Sequence, residues 1–279
     1  MIALGTLNRL TVKKQVKFGF YLDGLSWGEI LLPNNTAPAG LEIGQQVEVF
    51  LYLDSEDQLI ATTERPRIMV GKVAYLPVVA VTRIGAFLDW GLKKDLLVPF
   101  SEQPIPLKEG QRYLVYCYVD VSNRIVASAK LDRHLHKTMP HYQTGDQVDI
   151  IISEQTDLGY KAVVNHQHWG VLYKNEVFRP LRRGDKLTAY IAKVRDDGKI
   201  DLKLNTATHQ QAHALTEQVV RKLQQHGGKL ALSDKSPPEL IYSHFGVSKK
   251  TFKQAIGVLY KEKRIIITDD GIELALADS

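Results

Sequence analysis

The segment RIGAFLDWGLKKDLLVPFSE, residues Arg83 to Glu102, decides the fold. A glycine opens a short apolar run, a turn carrying Gly91, Lys93 and Lys94 follows, and a second apolar run ends at Pro99. Period-2 alternation broken by Gly, Pro and Asp is what half-buried antiparallel strands and turns require. Around this segment the pattern predicts strands near 68 to 84, 86 to 90, 95 to 98, 112 to 119 and 124 to 130. Five short strands in about 65 residues cannot bury a core as a flat sheet with two open edges, so closure into a small barrel of OB architecture is the economical solution.

The segment is one of three. Gly19, Gly85 and Gly159 each open a short strand pattern, and Leu31, Leu97 and Val171 sit in the middle of a second apolar run. Gly44, Gly110 and Gly184 precede the alternating runs QQVEVFLYL, QRYLVYCYV and DKLTAYIAKV. Every set is offset by 66 and then 74 residues, and self-similarity at a shared spacing marks a repeated module.

Composition sets outer bounds. A chain of 279 residues with 44% apolar and 24% charged content can bury several cores. No apolar run reaches the roughly 18 to 20 residues of a membrane span. The N-terminus, MIALGTLNRLTVKK, lacks the features of a secretory signal, so the expected compartment is the cytoplasm. Cys117 is the single cysteine, which excludes an internal disulfide framework, and its alternating context predicts an inert strand thiol. A net charge of +5 permits a polyanionic partner without demanding one.

Arg83 to Glu102 resembles the S1 RNA-binding signature, in which G-A-F, an apolar strand, a turn and a G-L-V-x-x-S-E run follow one another. Asp95 stands where a glycine is usual and Pro99 where a histidine is common. The resemblance is good for the second copy, moderate for the first and weak for the third. It implies single-stranded RNA bound on one barrel face by aromatic rings, a polar residue and a basic residue. The matching positions are Phe18, Tyr21, Pro33, Asp54 and Gln58 in the first copy, and Phe87, Pro99, Asp120 and Arg124 in the second, with Ile84 at the other aromatic position. In the third copy they are Leu158, Lys161, Tyr173, Arg195 and Lys199. Bases stack on rings for about 1 to 3 kcal/mol each while cations follow the phosphates. Residues 1–65 carry 5 basic and 8 acidic side chains, 66–131 carry 9 and 5, and 145–204 carry 10 and 9. Phosphate attraction dominates nonspecific affinity, so the main contact is expected on the second copy, at Arg83, Phe87, Lys93, Lys94 and Arg124. The first copy is expected to be a spacer or to contribute stacking only.

After Asn205 the pattern turns helical. Ala212, Leu215, Val219, Val220 and Leu223 form a stripe that stops at Gly227 and Gly228. A short strand, KLALSD, follows. Ser236 to Glu239 reads as a capping box with proline at the first helical position, Gly246 as a turn, and Ser248 as the cap of a helix with Phe252, Ala255, Ile256 and Leu259 inward. Lys249, Lys250, Lys253, Gln254, Gly257 and Lys261 form its other face. RIIIT, DDG and IELAL close as a two-stranded wing, giving winged-helix order. The expected fold is mainly β with a C-terminal α+β module: S1-like OB barrels at 1–65, 66–131 and 145–204, a linker at 132–144, and a winged helix at 205–279.

This arrangement resembles the conserved virulence factor B family, and the tail SKKTFKQAIGVLYKEKRI carries much of that resemblance. The family implies a cytoplasmic RNA-binding protein that influences gene expression after transcription, including expression of secreted factors in some pathogens. Candidate RNA-binding residues are therefore Phe18, Tyr21, Arg83, Phe87, Lys93, Lys94, Asp120, Arg124, Tyr173, Lys199, Lys249, Lys250 and Lys253. Rival readings are a DNA-binding regulator acting through the winged helix and a protein adaptor on ribosome or polymerase. A reading helix normally shows Arg, Asn or Gln to base edges; this one shows four lysines and a glutamine, although residues 236–264 carry 6 basic and 2 acidic groups. His134, His136 and His141, His166 and His168, and His209 with His213 invite a metal, but H-E-x-x-H is absent and solvated linker or helix-face histidines are the default. No phosphate loop or nucleophile elbow is present, so no catalytic residue, metal or cofactor is expected.

Overall fold

The computed structural model describes every residue except Met1, 175–176, 178–179, 205–208, 269 and 276–279, and leaves out the side chains of 209–214. The chain forms two compact units, residues 1–138 with 166–168, and residues 139–165 with 169–279.

The first unit holds two barrels. In the first, β1 (Leu7–Val16), β2 (Gly19–Asp23), β3 (Glu29–Pro33), β4 (Gln46–Leu53) and β5 (Leu59–Thr62) close in the order β1-β2-β3-β5-β4. In the second, β6 (Val73–Val81), β7 (Gly85–Leu88), β8 (Leu96–Pro99), β9 (Arg112–Val119) and β10 (Ile125–Ser128) follow the order β10-β9-β6-β7-β8, with β8 and β10 alongside each other but unpaired. The strand expected over 68–84 is shorter, because Gly71 turns the chain at φ 81° and Thr82 N–H donates to the Gly85 carbonyl at the other end. The second unit carries a closed third barrel, β11 (Gln147–Gln155), β12 (Gly159–Val164), β13 (His168–Tyr173), β14 (Lys186–Val194) and β15 (Ile200–Lys203), of which residues 166–168 group with the first unit.

The repeat has a physical basis in two places. Each first strand is bulged at the same point, between Val12 and Lys14, Val78 and Ala80, and Ile152 and Glu154, which bends it so that its halves pair with different neighbours. Each second strand then begins at a glycine pressed on the next strand. A Cβ at Gly19, Gly85 or Gly159 would stand 2.3, 2.2 or 2.2 Å from the carbonyl oxygen of Leu32, Val98 or Leu172. Gly44, Gly110 and Gly184 differ: they sit at φ 88°, 77° and 88° and donate N–H to Val12, Val78 and Ile152, beside the bulges.

Alternation fails instructively at β4. Val49, Phe50 and Leu51 are all buried, Val49 and Leu51 inside their own barrel and Phe50 in the core of the second, edge-to-face with Trp90 at 5.7 Å. Cys117 lies in that core, and burial pushes its thiol up to about 12, so the inert reading holds.

The winged helix comprises α1 (His209–Gln225), β16 (Lys229–Leu230), α2 (Pro238–Phe245), α3 (Lys249–Lys261), β17 (Ile265–Ile267) and β18 (Ile272–Leu274). Leu215, Val219 and Leu223 of α1 pack on Phe252, Ile256 and Leu259 of α3, while the Ala212 side chain lies outside the described residues. Ser248 caps α3, accepting Thr251 N–H at 3.0 Å, and Gly246 ends α2 at φ 67°. The expected capping box at Ser236 does not form: the Ser236 hydroxyl accepts Ser233 N–H at 2.9 Å, and Pro237 is the N-cap. The wing gains a third strand, since β16 pairs with β18.

The segment expected as a solvated linker is held by its first histidine. A 3₁₀ turn, Leu131–Arg133, brings the His134 ring onto Tyr116, stacked at 4.5 Å, and near Tyr118 at 4.9 Å. His168 is buried too, its Nε2 2.9 Å from the Thr138 carbonyl. Burial pulls His134 below its ordinary 6.5; Glu102 opposes this and Lys137 and Arg133 reinforce it.

Two predictions follow from these constraints. Gly85→Ala is expected to cost about 3 kcal/mol and Gly110→Ala, in open space at positive φ, about 1 kcal/mol, read as urea midpoints at constant m-value. For His134, the unfolded chain takes the proton first, so its contribution is whole above about pH 6.5 and is lost as pH falls toward the lower folded value. His134→Phe, which keeps the stack, should flatten that acid-side loss of stability; an unchanged pH profile would discount His134 as its source.

Candidate nucleic-acid interface

Along β7, Ala86 and Leu88 enter the core, so Phe87 faces outward between them, half-buried. Ile84 precedes it at 60% exposure, and Arg83 and Lys93 are exposed with no ion pair among the described residues. Arg124 extends from the turn before β10, its Nε 3.5 Å from Asp120 Oδ2. Ile84, Phe87 and Arg124 line a cleft of about 270 Å³ together with Trp90, Leu97 and Val126, whereas Arg83 and Lys93 are not part of its lining.

The first barrel supplies the opposite wall, which sequence reasoning missed. Tyr52, Leu53 and Asp57, from the hairpin joining β4 to β5, line the same cleft. Lys94 reaches across to this hairpin, donating to the Asp54 carbonyl and pairing with Asp57 Oδ1 at 3.1 Å. It is therefore a brace between barrels as well as a cation. The available signal was the unbroken apolar run VFLYL at 49–53, which cannot be a strand with one wet face.

Asp120 also has a structural task. Its Oδ1 accepts Ser122 N–H at 2.8 Å and Arg124 N–H at 3.0 Å, an Asx turn that aims Arg124. Asp54 does the same for Glu56 and Gln58, at 2.8 and 2.9 Å.

On the first barrel Phe18 is 57% exposed and meets Tyr21 edge-on at 6.4 Å, with Lys14 Nζ 4.7 Å from the Tyr21 ring centre. Both rings are thus outside, around Gly19. In the third barrel Tyr173 donates its hydroxyl to Asp201 at 3.1 Å and accepts from Arg195, which pairs with Asp201 at 3.0 Å. Burial and Asp201 push this phenol up. Lys199 is tied to Asp197 at 2.8 Å, whereas Trp169, unmarked by the sequence reading, lies under Lys161 Nζ at 4.0 Å.

On α3, Lys249 and Lys250 carry no ion pair among the described residues, while Lys253 pairs with Asp234 at 3.3 Å. Val258 and Tyr260 add exposed apolar area to the lysine face, and nothing lies within 4 Å of the place a Gly257 Cβ would take. Among the described residues no histidine, cysteine or carboxylate cluster could hold a metal; the side chains of His209 and His213 lie outside them. No described helix is long and apolar enough to cross a membrane.

Residues 4–64 and 70–130 match the S1 domain family, and residues 217–274 match the CvfB-like winged helix domain. The uncharacterized protein YitL of Bacillus subtilis (strain 168) is 28% identical over 269 residues, covering 92% of this chain and 88% of that one. Conserved virulence factor B of Staphylococcus haemolyticus (strain JCSC1435) is 28% identical over 250 residues, covering 84% and 81%. A solved structure, a multidomain protein with nucleic acid binding domains from Streptococcus pneumoniae TIGR4, aligns over 97% of this chain and 98% of that one at 22% identity and a TM-score of 0.42. The S1 matches end at residue 130; the third barrel shares their strand order and bulge.

Gly257 separates helix stability from surface contact. Gly257→Ala should stabilise the winged helix by about 1 kcal/mol, because alanine restricts the unfolded chain and meets nothing in the fold. Thermal unfolding of the full chain checks this; a lowered midpoint would contradict the open environment.

Proposed function

Because the chain belongs to the conserved virulence factor B family, we propose that it binds single-stranded RNA through its S1-type barrels and basic winged helix. It does so in the cytoplasm, without catalysing a reaction, and influences gene expression after transcription. The functional modules on this reading are the barrels at 1–65, 66–131 and 145–204 and the winged helix at 205–279, joined across 132–144. The observation that carries the reading is the grouping of Phe87 with Arg124 beside one cleft on an S1-matched barrel, with Arg83 and Lys93 exposed in the turns on either side of β7 and unpaired among the described residues. A ring beside unpaired cations is the combination that single strands need: the ring takes a base, the cations follow phosphates, and neither demands a sequence. Phe18 and Tyr21 extend the stacking surface, and Lys249, Lys250 and Lys253 of α3 add backbone contacts. Tyr173 and Lys199, held in their own ion-paired network, contribute less.

Binding of a short labelled single-stranded RNA to the full chain, followed by anisotropy at two salt concentrations, tests this. Phe87→Ala with Arg124→Ala should weaken binding about 10- to 100-fold and lower the salt slope by about one phosphate. Unchanged affinity in the double variant removes the second barrel from the reading. Tighter binding of duplex DNA, abolished by substituting Lys249 and Lys250, would favour a DNA regulator.

A further inference from the structure

We propose that the cleft between the first and second barrels is a nucleobase pocket, built jointly by the two, that takes one unstacked base of a bound single strand. The inference rests on the RNA-binding reading and names what this unit grips.

The first observation is the open seam. The first barrel closes by the parallel pair Leu31 with Ile60, and the third by β13 with β15. The residues 66 positions beyond Leu31 and Ile60 are Leu97 and Val126, which form no such pair, and both line the cleft. Val98 turns its carbonyl toward Gly85, so the alternation of an extended strand turns the N–H and C=O of Leu97 toward the seam. Main-chain donors and acceptors beside an apolar wall gain from a partner. β8 and β10 already lie alongside each other, so an added peptide strand, which needs its own width of about 4.8 Å, does not fit between them. A planar heterocycle need not enter between them: from the cleft it can turn an edge of donors and acceptors to the main chain of Leu97.

The second observation is the walls. Three aromatic residues line the cleft: Tyr52 from the first barrel and Phe87 and the largely buried Trp90 from the second. A volume of about 270 Å³ is ample for one base. The third is charge. Asp95 stands in the wall and repels phosphate, Asp57 there is neutralised by Lys94 at 3.1 Å, and Arg124 lines the cleft from the turn before β10. A nucleotide is thereby oriented with its base inward and its phosphate toward Arg124. Tyr52 and Asp57 belong to no S1-type position of the second barrel, which makes the pocket a property of the pair.

Trp90 reports on the pocket once Trp27 and Trp169, the other two tryptophans, are replaced by phenylalanine in the full chain. Short oligoribonucleotides of each base and the 5′-mononucleotides are titrated while Trp90 emission and oligonucleotide anisotropy are followed together. The expected result is a Trp90 change with the same midpoint as anisotropy. Tyr52→Leu, which keeps an apolar side chain but not the ring, should abolish the Trp90 change and weaken binding about tenfold, and Tyr52→Phe should preserve both. If oligonucleotides bind while Trp90 stays silent, or Tyr52→Leu binds like the parent, the pocket is overturned and RNA binding stands. If mononucleotides alone saturate the Trp90 signal, the pocket stands with free nucleotide as its source and the RNA reading falls. If neither ligand binds, both fall.

Discussion

The close approach of a glycine to a carbonyl oxygen is the contact on which all three barrels depend. At Gly19, Gly85 and Gly159 any side chain would collide with the strand opposite, and the bulge in each first strand supplies the bend that makes the approach useful. Together they curl five strands tightly enough to form a barrel, burying the inward residues and leaving Phe18, Tyr21 and Phe87 beside the glycines at the surface. The candidate ligand face is thus a by-product of closure. It sits where it does because the second strand must begin at a glycine.

Closure is complete in two barrels and incomplete in one. The second barrel leaves β8 and β10 unpaired on the side where the first barrel's hairpin lies, with Phe50 buried against Trp90 and Lys94 reaching back to Asp57. Burying a phenylalanine fully contributes about 1.5 to 3 kcal/mol, more than an exposed ion pair, which typically contributes 0.2 to 1 kcal/mol. The aromatic contact therefore dominates the join, and Lys94 mainly sets the position of the hairpin.

Most of the architecture was legible because it is periodic. Glycine spacing, alternation and the Ser248 cap are local signals, and each found its place, although the strand expected over 68–84 was too long because Gly71 and Thr82 end it early. What was hidden is non-local. Phe50 belongs to another barrel's core, and only the loss of alternation at Val49 to Leu51 hinted at this. The Ser236 capping box failed because two prolines let the helix start one residue later while the serine bonded backward. His134 was read as solvated since its tyrosine partners are about twenty residues away. At the candidate site the residue types were readable, yet Lys94 and Asp120 acquired structural tasks that only geometry discloses.

The buried Phe50 also bears on how such a protein can be taken apart. A fragment beginning at Pro66 would keep every S1 signature residue of the second barrel, yet it would uncover Trp90 and lose the Tyr52 side of the cleft. A fragment ending at Arg65 would put Phe50 into water. The first two repeats are separate in sequence and inseparable in packing, so the smallest inheritable piece of this half of the chain is a pair.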